Sequence, residues 1–347
     1  LNDARRRRGS IDFDLNEAEV IMDAAGAVEA IIALQRNVAH RLIEEFMLLA
    51  NETVASHLER LGVPALYRVH EEPDVLKVGK FEEFITGFGY SLGAPLTALR
   101  PRHFQKLLER IHDKPEERPI AYLMLRTMQK ARYSSDNLGH FGLAAPSYTH
   151  FTSPIRRYPD LIVHRVLRAV RHGRLNDEAR EAWAEQLPEV ARHTSELERR
   201  AEEAERELLQ WKKVRFMADK VGDEFEGYVV GVAAFGLFVE LIEHYVEGLV
   251  HVSTMADDYY RLVESVHMLR GENTQRAFRL GDKVAVQVLR VDMDVRQIDL
   301  GLVDVLQRVR SGERGPRRTR AVAKTDGPRG RKGRPGRRER AKPRRRR

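Results

Sequence analysis

Gly227-Tyr228-Val229-Val230-Gly231-Val232, then Phe235-Gly236-Leu237-Phe238-Val239, then Val246-Glu247-Gly248-Leu249-Val250-His251-Val252-Ser253: in this stretch the hydrophobic period of the chain changes. Before Gly222 the apolar residues recur at helical spacing. Over residues 221–303 β-branched and polar residues alternate between glycines. A period of two puts successive side chains on opposite faces of a strand. Short strands punctuated by glycine describe a small antiparallel barrel. Gly281-Asp282-Lys283-Val284, and the closing Gln297-Ile298-Asp299-Leu300-Gly301-Leu302, continue the pattern. The expected fold class is α+β, with a helix-rich part over residues 1–220, the barrel over 221–303 and a disordered tail over 304–347.

Upstream, Ile11, Phe13 and Leu15 alternate, and a strand pair turning near Asp23-Ala24-Ala25-Gly26 is expected. A long helix is predicted from about residue 27 to residue 61, ended by Gly62 and Pro64. Shorter helices are predicted within residues 73–93, over 101–111 and over 120–133. Pro159 suits the first turn of a helix running to about His172. Residues 175–222 read as one or two long helices broken near Pro188, with Thr194-Ser195 capping the second.

The chain has 347 residues, 42 % hydrophobic and 32 % charged, with no cysteine. No stretch approaches the roughly 18 apolar residues of a membrane span, so no membrane partner is expected. The missing cysteines exclude disulfides, thiolate chemistry and Cys-ligated zinc, and suit a reducing cytoplasm. Leu1 is not an initiator Met, and the opening residues read as the middle of a longer chain. Residues 304–347 carry 19 Lys/Arg against 4 Asp/Glu, a balance of +15, which leaves −7 of the total +8 on residues 1–303. The basic character belongs to the tail.

Chemistry concentrates between residues 139 and 165. Gly139-His140-Phe141-Gly142-Leu143-Ala144 is followed by Tyr148-Thr149-His150-Phe151-Thr152-Ser153-Pro154-Ile155-Arg156-Arg157-Tyr158-Pro159-Asp160, and then by Val163-His164-Arg165. Hydroxyls and backbone N–H groups just before a helix can hold a phosphate oxygen, and Arg156 or Arg157 can clamp it in bidentate fashion. The competing reading makes the aromatics core and pairs the arginines with Asp160. Composition leaves both open.

This run resembles the signature of the RNase II/RNase R catalytic domain. Matching pieces are Arg41-Leu42-Ile43-Glu44-Glu45-Phe46-Met47 with Ala50-Asn51, and Tyr67-Arg68-Val69-His70. The resemblance covers essentially residues 1–303, and the basic tail and the form of the loop lean towards the RNase R branch. It implies hydrolysis of single-stranded RNA from the 3′ end to nucleoside 5′-monophosphates, with Mg2+. By the same resemblance Arg156 contacts the scissile phosphate, Glu205 approaches the 3′-terminal nucleotide and Glu44 recognises the ribose. Tyr148, His150, Ser153 and Arg157 are further candidate RNA contacts. A solvated helix face is the competing reading for both glutamates, and bracing of the loop for Arg157, Tyr158 and Asp160.

Such hydrolysis uses paired magnesium ions, which need clustered carboxylates. The family places its aspartate cluster ahead of the region represented here. Asp12/Asp14, Asp257/Asp258 and Asp292/Asp294 are the close Asp pairs, and each reads as solvated surface acid. No metal ligand is assigned, and the chain alone is expected to be hydrolytically inactive.

The 221–303 region is similar to the S1-type RNA-binding domain, a five-stranded OB-fold barrel. Exposed aromatic faces stack on bases without selecting among them, which makes Phe235, Phe238 and His251 the candidates, with one phenylalanine liable to face inward and Tyr228 as a further option. The tail suits a polyanion such as ribosomal RNA or the ribosome, through a salt-sensitive contact. A monomer is expected. The rival reading is a non-catalytic RNA-binding adaptor that uses the barrel and tail. Binding of single-stranded DNA stays open because stacking alone does not read the 2′-hydroxyl.

Overall fold

The structure is a computed structural model that describes residues 1–13, 18–33, 37–114 and 116–311. Helix α1 (Asn2–Arg8) ends at Gly9, whose φ of 102° turns the chain back. Strands β1 (Ala18–Met22) and β2 (Val28–Ala33) form the expected hairpin, and Asp23 Oδ1 accepts the Ala25 and Ala27 N–H groups in its turn. The helix predicted from residue 27 begins later, as α2 (Val38–Arg60). Residues of β2 bond to β1 instead, and Ile31 joins the barrel core. Asn37 caps α2 by accepting the His40 N–H.

Strand β3 (Tyr67–Val69) is followed by α3 (Val75–Thr86), α4 (Pro101–Ile111) and α5 (Glu117–Thr127). The predicted helix to residue 133 stops at Thr127, because Arg132–Ser134 forms β4 and pairs antiparallel with β3. Helix α6 (Tyr158–Arg171) starts as expected, with Pro159 in its first turn. Helix α7 (Asp177–Met217) is one helix of 41 residues, and the break expected at Pro188 does not occur. Leu187 and Ala191, 1 % and 4 % exposed, keep it packed across the proline. Thr194 and Ser195 bond back to carbonyls of the preceding turn rather than capping, and Ser195 Oγ accepts the Tyr133 N–H.

The barrel comprises β5 (Glu224–Ala233), β6 (Gly236–Leu241) and β7 (Glu247–His251). A separate sheet of β8 (Tyr260–Val263), β9 (Met268–Gly271) and β10 (Ala277–Arg279) follows, before β11 (Lys283–Asp292) and β12 (Gln297–Leu302) complete the barrel. Five strands close in the order β11-β12-β7-β6-β5, with β12 and β7 parallel. Sequence periodicity did not separate the three-stranded insertion from the barrel strands. Inside it, Asp257 is 6 % exposed, accepts from Tyr260 Oη and pairs with Arg276, while Asp258 accepts from Asn273 and Thr274. This pair is structural rather than solvated. Asp292 caps the β11–β12 turn, and Asp14 lies outside the described residues.

The region assigned to the tail opens with a helix, α8 (Val303–Arg310), which buries Val305 against the barrel core. The expectation for residues 312–347 lies outside the described residues. One apolar core holds α3, α4 and α5, a second joins the end of α2 to α6 and α7, and a third fills the barrel. They interlock: Leu280 of the barrel region enters the first, and Val214 and Met217 of α7 enter the third. Among the described residues no helix is long and apolar enough to cross a membrane.

Candidate nucleic-acid interface

The loop between β4 and α6 is pinned at its base and exposed at its tip. Asn51, fully buried on α2, donates from Nδ2 to Tyr148 Oη at 2.9 Å and accepts the Phe151 N–H at 3.0 Å. The Arg68 N–H bonds to the Tyr148 carbonyl, and Thr149 Oγ1 donates to the Leu66 carbonyl at 2.6 Å. The His164 ring stacks on Phe151 at 4.1 Å, and its Nε2 bonds the Phe151 carbonyl. From α6, the buried Asp160 accepts the Ser153 N–H at 2.8 Å and Arg157 Nη2 at 2.7 Å with one oxygen. Its other oxygen and Arg157 Nε have no hydrogen-bond partner.

Above this base, Thr152, Ile155 and Arg156 are exposed. The Arg156 guanidinium makes no ion pair among the described residues, and its backbone N–H bonds the Ser153 carbonyl. Arg156 is therefore presented outward, while Arg157 is held by Asp160. The sequence offered the Ser153 N–H to a phosphate; Asp160 occupies it. Tyr148, a candidate RNA contact, is 4 % exposed and braces the loop through Asn51. His150 is half-buried, with Nδ1 2.8 Å from Tyr133 Oη. Burial and the nearby Arg157 push its imidazole down to about 3, and burial and His70 push His140 down to about 3. Burial, then the Glu198 carboxylate, push the Tyr133 hydroxyl up to about 12. A neutral His150 accepting from a protonated Tyr133 follows.

The predicted glutamates sit on α2 and α7. Glu44 is half-buried and lines a cleft of 1820 Å³ between α1, α2, α4, α5 and the barrel, together with Arg41, Phe13 and Tyr228. No residue of 148–157 lines it. Tyr228 packs under the Arg118 guanidinium at 4.6 Å, facing α5 rather than a free surface. Glu205 is exposed on α7. Seven residues earlier, roughly 10 Å along the helix, Glu198 pairs with Arg68 at 2.5 Å, and Arg68 lies over the Tyr133 ring. Sequence reasoning named neither Glu198 nor the brace role of Asn51; a buried amide amid the apolar spacing of α2 was the available signal for the latter.

On the barrel, Phe235 is 48 % exposed and meets Phe238 edge-to-face at 5.8 Å. Neither faces the core, because β6 buries Leu237, Val239 and Leu241 instead. His251 pairs across from Gly236, is exposed, and bonds Ser253 through Nδ1. Lys283 and Arg290 are occupied by Glu226 and Asp292.

Among the described residues, one group of three acids and histidines has ligand atoms close enough to share an ion: His112, Asp113 and Glu117, at the surface between α4 and α5. The described residues beside Arg156 do not fit a paired-magnesium site.

This combination of a braced arginine loop on a helical body and an aromatic-faced OB barrel defines a class, and comparison with known proteins agrees. The profile of the RNB domain matches residues 1–173, and that of the S1 RNA binding domain matches residues 218–302. Ribonuclease R of Aquifex aeolicus is 48 % identical over 89 % of the chain and 43 % of its own length; that of Escherichia coli is 39 % identical over 97 % and 41 %. Mycoplasma genitalium RNase R, solved with ribose-methylated single-stranded RNA, superposes with a TM-score of 0.83 at 28 % identity, covering 87 % of this chain and 47 % of that one. Yeast Ssd1, described as a pseudonuclease, superposes with a TM-score of 0.56 at 29 % identity, covering 68 % of this chain and 30 % of its own. The chain belongs to the RNase II/RNase R family. It spans less than half the length of these relatives.

Proposed function

We propose that the protein is a 3′-to-5′ exoribonuclease that hydrolyses single-stranded RNA to nucleoside 5′-monophosphates, with Arg156 holding the scissile phosphate. The observation that carries this reading is an exposed guanidinium, without an ion pair among the described residues, on a loop fixed from beneath by Asn51, Asp160 and His164. A cation free of acids and held in place is what stabilisation of transition-state charge requires. The relatives named Ribonuclease R support it. Ser153, Arg157 and His150 shape the loop around the phosphate. Glu44 in the cleft meets the ribose and Glu205 the terminal nucleotide, while Phe235, Phe238 and His251 stack on the strand. A magnesium pair, for which the described residues beside Arg156 do not provide the carboxylates, would supply the activated water. Residues 312–347 bind polyanions such as ribosomal RNA by charge. The protein acts as a cytoplasmic monomer.

The test is degradation of a 5′-labelled single-stranded RNA by a protein that joins this chain to the sequence encoded upstream of it. Magnesium-dependent shortening from the 3′ end is expected. Arg156→Ala should lower kcat at least a hundredfold, as removal of a single charge-stabilising donor does, with RNA affinity little changed. Full activity in that variant removes Arg156 from the reaction.

A second reading, a non-catalytic RNA-binding adaptor, is favoured by one observation, the likeness to a pseudonuclease. It predicts RNA binding without shortening in the same assay.

A further inference from the structure

Phe235, 48 % exposed, and Phe238 face an open groove rather than a flat barrel surface. They form the floor of a cavity of 660 Å³ whose other wall is α7, with Arg206, Glu207 and Gln210 turned towards them. That volume lies inside the range of sites for small ligands, about 300–1,000 Å³. Arg206 and Gln210 are four residues apart and so share one helix face.

The floor is apolar. Phe235, Phe238, Leu249 and Val295 line it, and Val295 is 69 % exposed. Phe238 lies against the sheet because residue 231 is glycine; a Cβ there would come within 3.0 Å of the ring. The two sides are joined by an ion pair between Arg296, in the β11–β12 turn, and Glu207 of α7 at 3.3 Å. This pair engages the barrel's own cation at the rim. Gln297 is likewise engaged, donating to Asp299 at 2.8 Å. Among the described residues no hydrogen bond or ion pair engages the side chain of Arg206 or of Gln210. The remaining acid, Glu247, lies at the barrel side of the cavity. With Glu207 paired to Arg296, Arg206 is, among the described residues, the unpaired cation on the α7 side, which sets a polarity: a strand would enter with a phosphate towards Arg206 and its bases towards the phenylalanines.

We propose that α7 is the second wall of a nucleotide slot, in which a base of single-stranded RNA stacks on Phe235 and Phe238 while Arg206 holds the adjoining phosphate and Gln210 donates to the sugar or base. The inference rests on the reading of the barrel face as RNA-binding. It assigns the phosphate contact of that face to a residue of the helical domain, so the barrel's grip on RNA depends on its attachment to α7.

The experiment measures binding of a fluorescein-labelled 12-nucleotide single-stranded RNA to the full 347-residue chain by anisotropy, across a salt series. Phe235→Ala is expected to weaken binding about tenfold, as loss of a stacking aromatic does. Arg206→Ala is expected to weaken it about fivefold and to lower the salt slope by about one, and Gln210→Ala to weaken it about threefold. Arg200→Ala, on the same helix but outside the cavity, serves as control. A loss with Phe235→Ala, while Arg206→Ala matches Arg200→Ala in affinity and slope, overturns the second wall and leaves the barrel face intact. No loss with Phe235→Ala overturns the barrel reading itself. Urea midpoints of the variants, unchanged from the parent chain, separate binding losses from unfolding.

Discussion

At the scale of single residues, two buried groups govern the loop that carries Arg156. Asp160 has no exposed surface and holds both the Ser153 N–H and Arg157. Removing one partner of a buried ion pair leaves the other uncompensated, at about 3 kcal/mol. Asp160→Ala should therefore lower stability in urea by that amount, and a loss below about 1 kcal/mol would show that Arg157 finds water instead. The second group is the histidine pair. His140 and His150 both titrate near 3 when folded, against 6.5 when exposed. The native state thus favours the neutral rings, and the unfolded chain binds more protons between those values. The stabilisation is complete above pH 6.5 and falls as pH drops towards 3. Between pH 7 and pH 5 the loss should be about 2 kcal/mol for each histidine. His150→Gln should remove its share of that slope; equal slopes in parent and variant would place His150 in water. The loop's residue types were readable in the sequence. Which arginine points outward was not, because it depends on Asp160 folding back beneath the turn.

At the scale of elements, α7 shows how packing overrides local preference. Proline in a helix interior removes a donor and costs about 3 kcal/mol relative to alanine. Pro188 nonetheless sits inside an unbroken helix, since Leu187 and Ala191 on either side are buried. Pro188→Ala should raise the unfolding free energy by about 1–3 kcal/mol, measured by urea denaturation. A fall would mean that the local geometry set by proline is itself needed for those contacts. The same logic explains β2, where the long helix was expected to begin, and β4, whose first residues were expected to end another helix. Pairing with β1 and β3 decided the outcome.

At the scale of the whole molecule, the barrel is docked on the helical body at a close approach. Gly281 has φ of +89°, and a Cβ there would lie 2.5 Å from the Pro119 side chain of α5. Leu280 beside it fills the core of α3, α4 and α5. Arg118 adds a contact with Tyr228 and an ion pair with Glu240. Gly281→Ala should cost at least about 2 kcal/mol, since a left-handed backbone alone costs an L-residue about 1–2 kcal/mol. Urea unfolding followed by Trp fluorescence should show the loss, and an unchanged midpoint would mean that docking tolerates a shift of α5.

Periodicity and motif were enough to read a helix-rich part followed by a strand-rich barrel, and to single out the run around Arg156, because both signals are local and repeat over many residues. Three further features came only from tertiary contacts: the freedom of Arg156 against the capture of Arg157, the burial of Tyr148 and the placing of α7 opposite Phe235. Each depends on which distant side chain arrives beside a residue. Asn51 and Tyr148 lie 97 positions apart, and no local spacing encodes their meeting.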